Sequence, residues 1–263
     1  MKKVHLLFKK EDIDQAKIEG KVAVVFDILL ATSTITAALH AGAKEVIPVS
    51  TKEEAEKETI GREKNSYLLV GEYQGRSLDH FHEPNPMKLK EVVNKKTMIL
   101  STTNGTVAIN RASLAKHVYI ASLLNGKAVA NEIIKREKDD TIVLICSGSS
   151  GEFCIEDFYG AGSFIASLMR ESNDRLILSE SAFAAHEFYK NREPKSVILE
   201  SRVGQMLIDL GFGEEVDFVS QRDIMSVVPR LVDQKRICLT NQEQIIGKEG
   251  GSDIVERTNK TVR

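Results

Sequence analysis

Four short loops in this 263-residue chain carry residue types that together suit an anion and a hard cation. Asp27 ends an apolar run and is followed by Thr32, Ser33 and Thr34; Glu72 follows Gly71. Thr102, Thr103, Asn104, Gly105 and Thr106 form a third loop, and Ser147, Gly148, Ser149, Ser150 and Gly151 a fourth, followed by Glu156 and Asp157. Hydroxyls and the amides of small residues take phosphate oxygens, while carboxylates hold Mg2+ that keeps several of its waters. Ser and Thr at the end of a strand also cap helices whatever the function, so any one loop is ambiguous. Four together, two of them joined to acids, point to a site.

Asp27 is the sharpest case, because an acid directly after an apolar strand is costly unless it caps a helix or meets a cation. Glu156 and Asp157 fall in a first helical turn, where the helix dipole favours acids, and neighbours on a helix diverge by roughly 100°. One of the pair is therefore expected to face a ligand. His80, His82 and Glu83 alternate along the chain and offer metal donors, but the segment 79–84 reads more simply as a loop.

Three phosphate chemistries are excluded by spacing. A P-loop needs Lys and Ser/Thr where Gly151 is followed by Glu152 and Phe153. An aspartyl nucleophile of the Asp-x-Asp type fails because Asp27 is followed by Ile28 and Leu29. A cysteine phosphatase loop needs Arg six residues after the thiol, and Cys146 meets Glu152 there. The three cysteines, Cys146, Cys154 and Cys238, lack CxxC spacing and suit reduced thiols better than a disulfide framework.

The elements that must position these loops repeat one order: a β-branched run, a loop of small polar residues, a helical stretch. Strands are expected at 22–26, 45–49, 67–70, 97–100, 118–121 and 141–146. Helices are expected at 35–41, 52–62, 106–116, 126–138, 155–170, 179–190 and 201–210, with Thr51 and Glu54 as a capping box. Apolar strands alternating with amphipathic helices predict an α/β fold whose largely parallel sheet is covered by helices on both faces. The recurrence allows two similar subdomains. A short strand at 226–228 is a weaker expectation. Residues 1–246 read as a single domain and 247–263 as a polar, mobile tail.

Lys and Arg number 36 against 38 Asp and Glu, a net charge of -2 that gives no basic field for nucleic acid or an anionic membrane. The apolar runs are strand-length, too short to span a bilayer, and Lys9 to Asp12 interrupt any signal-peptide core; the expected compartment is the cytoplasm. Phe183, Phe188 and Tyr189 could form a homodimer surface or belong to the core.

At the same loops the sequence resembles the 2-phosphosulfolactate phosphatase family. The matching stretches are VVFDILLATSTITAALHAGAKEVIPV (24–49), STTNGT (101–106), ASLLN (121–125) and CSGSSGEFCIEDFYGAG (146–162), with a weaker match in DIMSVVPRL (223–231). The resemblance implies an α/β, Mg2+-dependent enzyme of sulfolactate and coenzyme M metabolism. Its substrate would be a small anionic phosphate ester, cleaved by water to sulfolactate and phosphate. On this chain, Asp27, Glu156 and Asp157 would carry the chemistry, and Asp27, Glu72 and Asp157 would be the metal ligands. Thr32, Ser33, Thr102, Thr103, Asn104, Gly105, Gly148 and Ser149 would bind the anion. The chain departs from the family pattern at Leu30 and Tyr73, where the family has Arg, and at the segment 83–86. Arg62, Arg76, Arg202, Arg222 or Arg230 would have to supply the missing guanidiniums. Two other readings stay open: a divergent phosphatase on a less anionic metabolite, and a non-catalytic anion-binding or regulatory protein.

Overall fold

The computed structural model describes residues 1–137, 140–173 and 176–240; the expected tail at 247–263 lies outside them. In chain order the elements are β1 (Lys2–Leu7), α1 (Gln15–Ile18), β2 (Val22–Phe26), α2 (Ala31–His40), β3 (Glu45–Val49), α3 (Lys52–Lys57), β4 (Tyr67–Tyr73), β5 (Arg76–Ser77), α4 (Pro86–Leu89) and β6 (Thr97–Ser101). They continue with α5 (Gly105–Arg111), β7 (His117–Ile120), α6 (Gly126–Arg136), β8 (Ile142–Cys146), α7 (Ile155–Ser172), β9 (Leu176–Leu178), α8 (Glu180–Lys190), α9 (Pro194–Glu200), α10 (Arg202–Asp209), α11 (Gly213–Val219), β10 (Pro229–Val232) and β11 (Arg236–Leu239).

All the strands lie in one mostly parallel sheet of order β5-β4-β6-β3-β11-β10-β7-β2-β8-β1-β9. The β-branched runs of β2, β3, β6 and β8 are buried along their whole length, as interior strands covered on both faces must be. β4-β6-β3 form one parallel block and β7-β2-β8-β1-β9 a second. Between them the β10–β11 hairpin pairs antiparallel to both. Its turn, 233–235, places Asp233 and Gln234 at positive φ without the glycine that marks such turns. The strand expected at 226–228 therefore begins three residues later, and the hairpin was not foreseen. Arg236 of β11 anchors it to the start of β3 through Glu45 at 3.2 Å.

Three antiparallel pairings in succession set the two blocks running in opposite directions along the ladder. Loops of both blocks nonetheless meet. One face of both blocks shares a single core with α2 and α5, joining Val25, Ile35, Val46, Met98, Ala108, Ile120 and Ile237. The outer face of the second block packs on α6 to α11 through Val24, Phe26, Leu144, Phe164 and Ile198. The outer face of the first block packs on α3 through Ile47, Ile99 and Ala55. Thr51 Oγ1 caps α3 by accepting from Glu54 N–H at 3.1 Å, and Glu54 returns the bond to Ser50 N–H at 2.8 Å. The helix ends at Lys57 rather than Arg62.

Of the residues expected at a dimer surface, Phe183 is 55% exposed. Phe188 and Tyr189 pack on the core beneath Arg192 and Arg222. Among the described residues no helix is long and apolar enough to cross a membrane.

The hairpin is predicted to hold the blocks together by core burial. Ile237, fully buried, should cost about 2–5 kcal/mol on truncation to Ala. Ile60, 80% exposed, should cost within about 0.5 kcal/mol. Urea unfolding of Ile237→Ala and Ile60→Ala checks this.

Candidate active site

The loops after β2, β6 and β8 and the β4–β5 turn meet in a cleft of about 480 Å3 lined by Asp27, Glu72, Thr103, Asn104, Gly148, Ser149, Glu156 and Asp157. Leu29, Leu30, Val203 and Met206 give it an apolar wall, and Arg202 also lines it.

Asp157 accepts Ile28 N–H at 2.9 Å on one carboxylate oxygen and Gly148 N–H at 3.2 Å on the other. It thus ties the ends of β2 and β8 to the first turn of α7. Glu72 does the same in the first block. It accepts Thr103 N–H at 2.8 Å and Gly75 N–H at 2.7 Å, and the Thr103 hydroxyl at 3.2 Å. That hydroxyl in turn accepts Gln74 N–H at 2.9 Å. Gln74 and Gly75 both have positive φ, the geometry of a tight two-residue hairpin that folds back over the Thr103 loop. Asp27 stands beside Gly105, where any Cβ would collide with the Asp27 carboxylate and with Ala31. Only glycine lets the starts of α5 and α2 approach this closely.

Glu156 and Asp157 both line the cleft, where one had been expected to turn away. The first turn of α7 meets the cleft, so neighbouring side chains diverge around its mouth rather than to opposite sides. Asp157 reaches the β2 and β8 loops, and Glu156 lies toward Cys154, Ser201 and Arg202.

Thr32, Ser33, Thr102 and Gly105 are not part of the lining. Thr32 Oγ1 accepts Asp27 N–H and donates to Asp27 O at 2.9 Å, and Ser33 Oγ donates to Ile28 O at 2.6 Å. Thr102 and Thr106 bond each other within their own turn. These buried hydroxyls satisfy the backbone of the strand-to-helix turns, the capping role that competes with ligand binding for such residues.

Withdrawal from water and the nearby charges of Glu72 and Glu156 push the Asp27 carboxyl up to about 7. Burial also raises Glu156, against its own amide, Cys154, Ser201 and the Arg202 guanidinium. Burial, Asp27 and Glu156 raise Asp157 well above the usual carboxylate range, opposed by the two amides it accepts. Burial and the same acids push the Cys146 and Cys154 thiols up, so neither is a ready thiolate.

Sequence reading missed Lys10, whose ammonium lies 2.9 Å from Asn104 Oδ1, and the Gln74–Gly75 turn; isolated polar residues far from the motif loops carry no local signal. Of the five arginines weighed as replacements, Arg202 is the one that reaches the cleft. Its Nη2 donates to Ser149 O at 3.2 Å. Ser201 caps α10 behind it, accepting Gly204 N–H at 2.9 Å and donating to Ile198 O at 2.8 Å. Gly204 allows the tight α9–α10 corner, since a Cβ there would collide with the Ile198 carbonyl. The resulting corner aims Arg202 at the Ser149 loop. Arg62 instead pairs with Glu45, and Arg222 with Tyr189 and Glu193.

The profile of the 2-phosphosulpholactate phosphatase family matches residues 7–234. A probable 2-phosphosulfolactate phosphatase of Clostridium novyi is 36% identical over 230 residues, covering 86% of this chain and 96% of the relative. One from Clostridium acetobutylicum is 37% identical, covering 87% and 97%, and one from Carboxydothermus hydrogenoformans 37%, covering 86% and 92%. The match runs through every loop of the cleft. The chain belongs to the 2-phosphosulpholactate phosphatase family.

Proposed function

We propose that this chain hydrolyses the phosphate ester of a small 2-hydroxy acid, with 2-phosphosulfolactate as the first substrate to test and Mg2+ as cofactor. The observation that carries the reading is the meeting of Asp27, Glu156 and Arg202 with the Thr103–Asn104 and Gly148–Ser149 loops in one cleft. Acids there would otherwise repel an anion, and their raised proton affinity marks a wall that a divalent cation would stabilise.

Among the described residues no three His, Cys, Asp or Glu side chains converge closely enough to cage an ion. That suits Mg2+, which is commonly held by one or two carboxylates and the substrate phosphate, with waters completing an octahedron. Asp27 and Glu156 would hold it. Glu72 and Asp157, expected as ligands, join amides of separate loops through both oxygens, and we assign them the setting of the loops; Asp27 accepts only amides of its own turn, Leu30 and Ala31. Bound there, the ion would neutralise charge on the phosphoryl oxygens.

Arg202 would bind a phosphoryl or acid oxygen with charge-assisted hydrogen bonds, and the Ser149 loop it braces would follow the ester into place. Water would attack phosphorus opposite the ester oxygen. The P–O bond to the 2-carbon breaks, releasing the hydroxy acid and inorganic phosphate. The Asp27 carboxyl is held near 7 only while no cation neutralises Glu72 and Glu156; beside the ion it would be ionised and would take the proton of the attacking water.

One observation favours a second reading, hydrolysis of a less anionic phosphorylated metabolite. Arg202 is the one cation among the described lining residues, and the apolar Leu29, Leu30, Val203 and Met206 line the cleft with it.

Phosphate release from 2-phosphosulfolactate and simpler phosphorylated hydroxy acids, with Mg2+ and with chelator, separates these readings. Release is expected to require Mg2+ and to fall at least a hundredfold in Asp27→Ala. Tight ligand binding without release from any ester would leave an anion-binding protein. Gly105→Ala should lower release at least tenfold, because the added methyl must displace Asp27. The third expectation concerns pH. A carboxyl whose folded proton affinity exceeds its unfolded value stabilises the protein in acid, and that contribution is lost as pH rises from about 4 through about 7. In metal-free protein the thermal midpoint of Asp27→Asn should exceed that of wild type by an amount growing across this window. A gap that shrinks with rising pH would refute the assignment.

A further inference from the structure

Lys10 is a cation for which the reading above has no role. It lies in the loop after β1, 6% exposed, and its backbone is fixed on both sides. Its N–H donates to Ser147 O at 3.3 Å, and its carbonyl accepts Arg111 Nη1 at 3.2 Å. Its Nζ donates to Asn104 Oδ1 at 2.9 Å, lies 3.5 Å from Ser147 O and pairs with Glu11 at 3.1 Å. Glu11 alone does not account for a buried ammonium, because it is 36% exposed and such pairs contribute little.

The chemistry of the Asn104 bond carries more. An ammonium has only donors, whereas an amide has an acceptor oxygen and a donor nitrogen. Lys10 can therefore be satisfied by one of the two Asn104 rotations, which removes the usual ambiguity of amide orientation. With Oδ1 held on Lys10, Nδ2 is turned away from it. Asn104 lines the cleft, is half-buried, and no group among the described residues accepts from its Nδ2. In the opposite rotation the oxygen would face a bound anion and repel it.

We infer that Lys10 is a positioning residue, whose ammonium locks the Asn104 amide so that Nδ2 donates to an oxygen of the tetrahedral oxyanion bound in the cleft. The inference rests on the phosphate-ester reading for the identity of that oxyanion. Lys10 does not touch the ligand. It acts through Asn104, and through Ser147 O it also ties the loop after β6 to the loop after β8.

The test is a double-mutant cycle read by calorimetric titration with inorganic phosphate and Mg2+, alongside kcat and KM on 2-phosphosulfolactate and the thermal midpoint of each variant. Lys10→Met and Asn104→Ala should each weaken phosphate binding about ten- to a hundredfold, the range for a hydrogen bond to a charged group. Their double variant should bind no worse than Asn104→Ala, because both remove the same donor. Lys10→Arg, also a pure donor, should restore most of the affinity. Multiplying losses in the double variant would overturn the inference. So would Lys10→Met that lowers the thermal midpoint while leaving phosphate affinity intact, or wild type that binds no phosphate. Wild type that binds phosphate but cleaves no ester would instead defeat the functional reading and leave the cycle interpretable.

Discussion

A carboxylate taken out of water must find donors, and in this protein two of them find the backbone amides of loops distant in sequence. Asp157 gathers Ile28 and Gly148, and Glu72 gathers Thr103 and Gly75. An ionised acid left unpaired in the interior is several kcal/mol unfavourable, so each clamp is strongly favoured over a looser loop. One clamp serves each parallel block. Both blocks share one core with α2 and α5, and the two clamps line the same cleft.

The same arrangement makes the site electrostatically unfavourable. Burial raises Asp27, Glu156 and Asp157; Glu72 and Glu156 raise Asp27 further, and Asp27 and Glu156 raise Asp157. Folding brings these acids together only because a larger apolar core surrounds them: Phe26, Ile28, Tyr159 and Phe164 are all at most 1% exposed. Sites that concentrate like charge in this way are poised to take a cation or a proton, which is the property a phosphate-transfer cleft needs. Concentrating these acids therefore opposes stability at Asp27. Glycine at 105 is part of the same compromise, since it lets the carboxylate sit where a side chain would exclude it.

The cleft lining mixes chemistries: acids and loop donors, the apolar Leu29, Leu30, Val203 and Met206, and Arg202, which reaches Ser149 O. Leu30 occupies the cleft itself, so what this residue meets on the ligand is a direct question of specificity.

Much of the architecture was legible locally. The runs at 22–26 and 45–49 became β2 and β3 without a change of boundary, because a strand buried on both faces announces itself in continuous apolar sequence. The loops after β2, β6 and β8 were legible too, as clusters of small and hydroxylated residues beside acids. Which hydroxyls face the cleft was not. Thr32, Ser33 and Thr102 spend their bonds within their own turns, and the same residue types serve capping and binding alike. The hairpin of β10 and β11 escaped because its turn carries Asp233 and Gln234 at positive φ instead of glycine. Lys10 escaped, and Arg202 could not be told from four other candidate arginines, because their importance lies in what folding brings beside them: Asn104 for one, Ser149 for the other. Sequence by itself determined the strands and the chemical character of their loops, since both follow from near neighbours in the chain. Only the tertiary structure decided which side chains share the cleft, because that depends on how two opposed blocks come to share one core and on which amides the buried acids find.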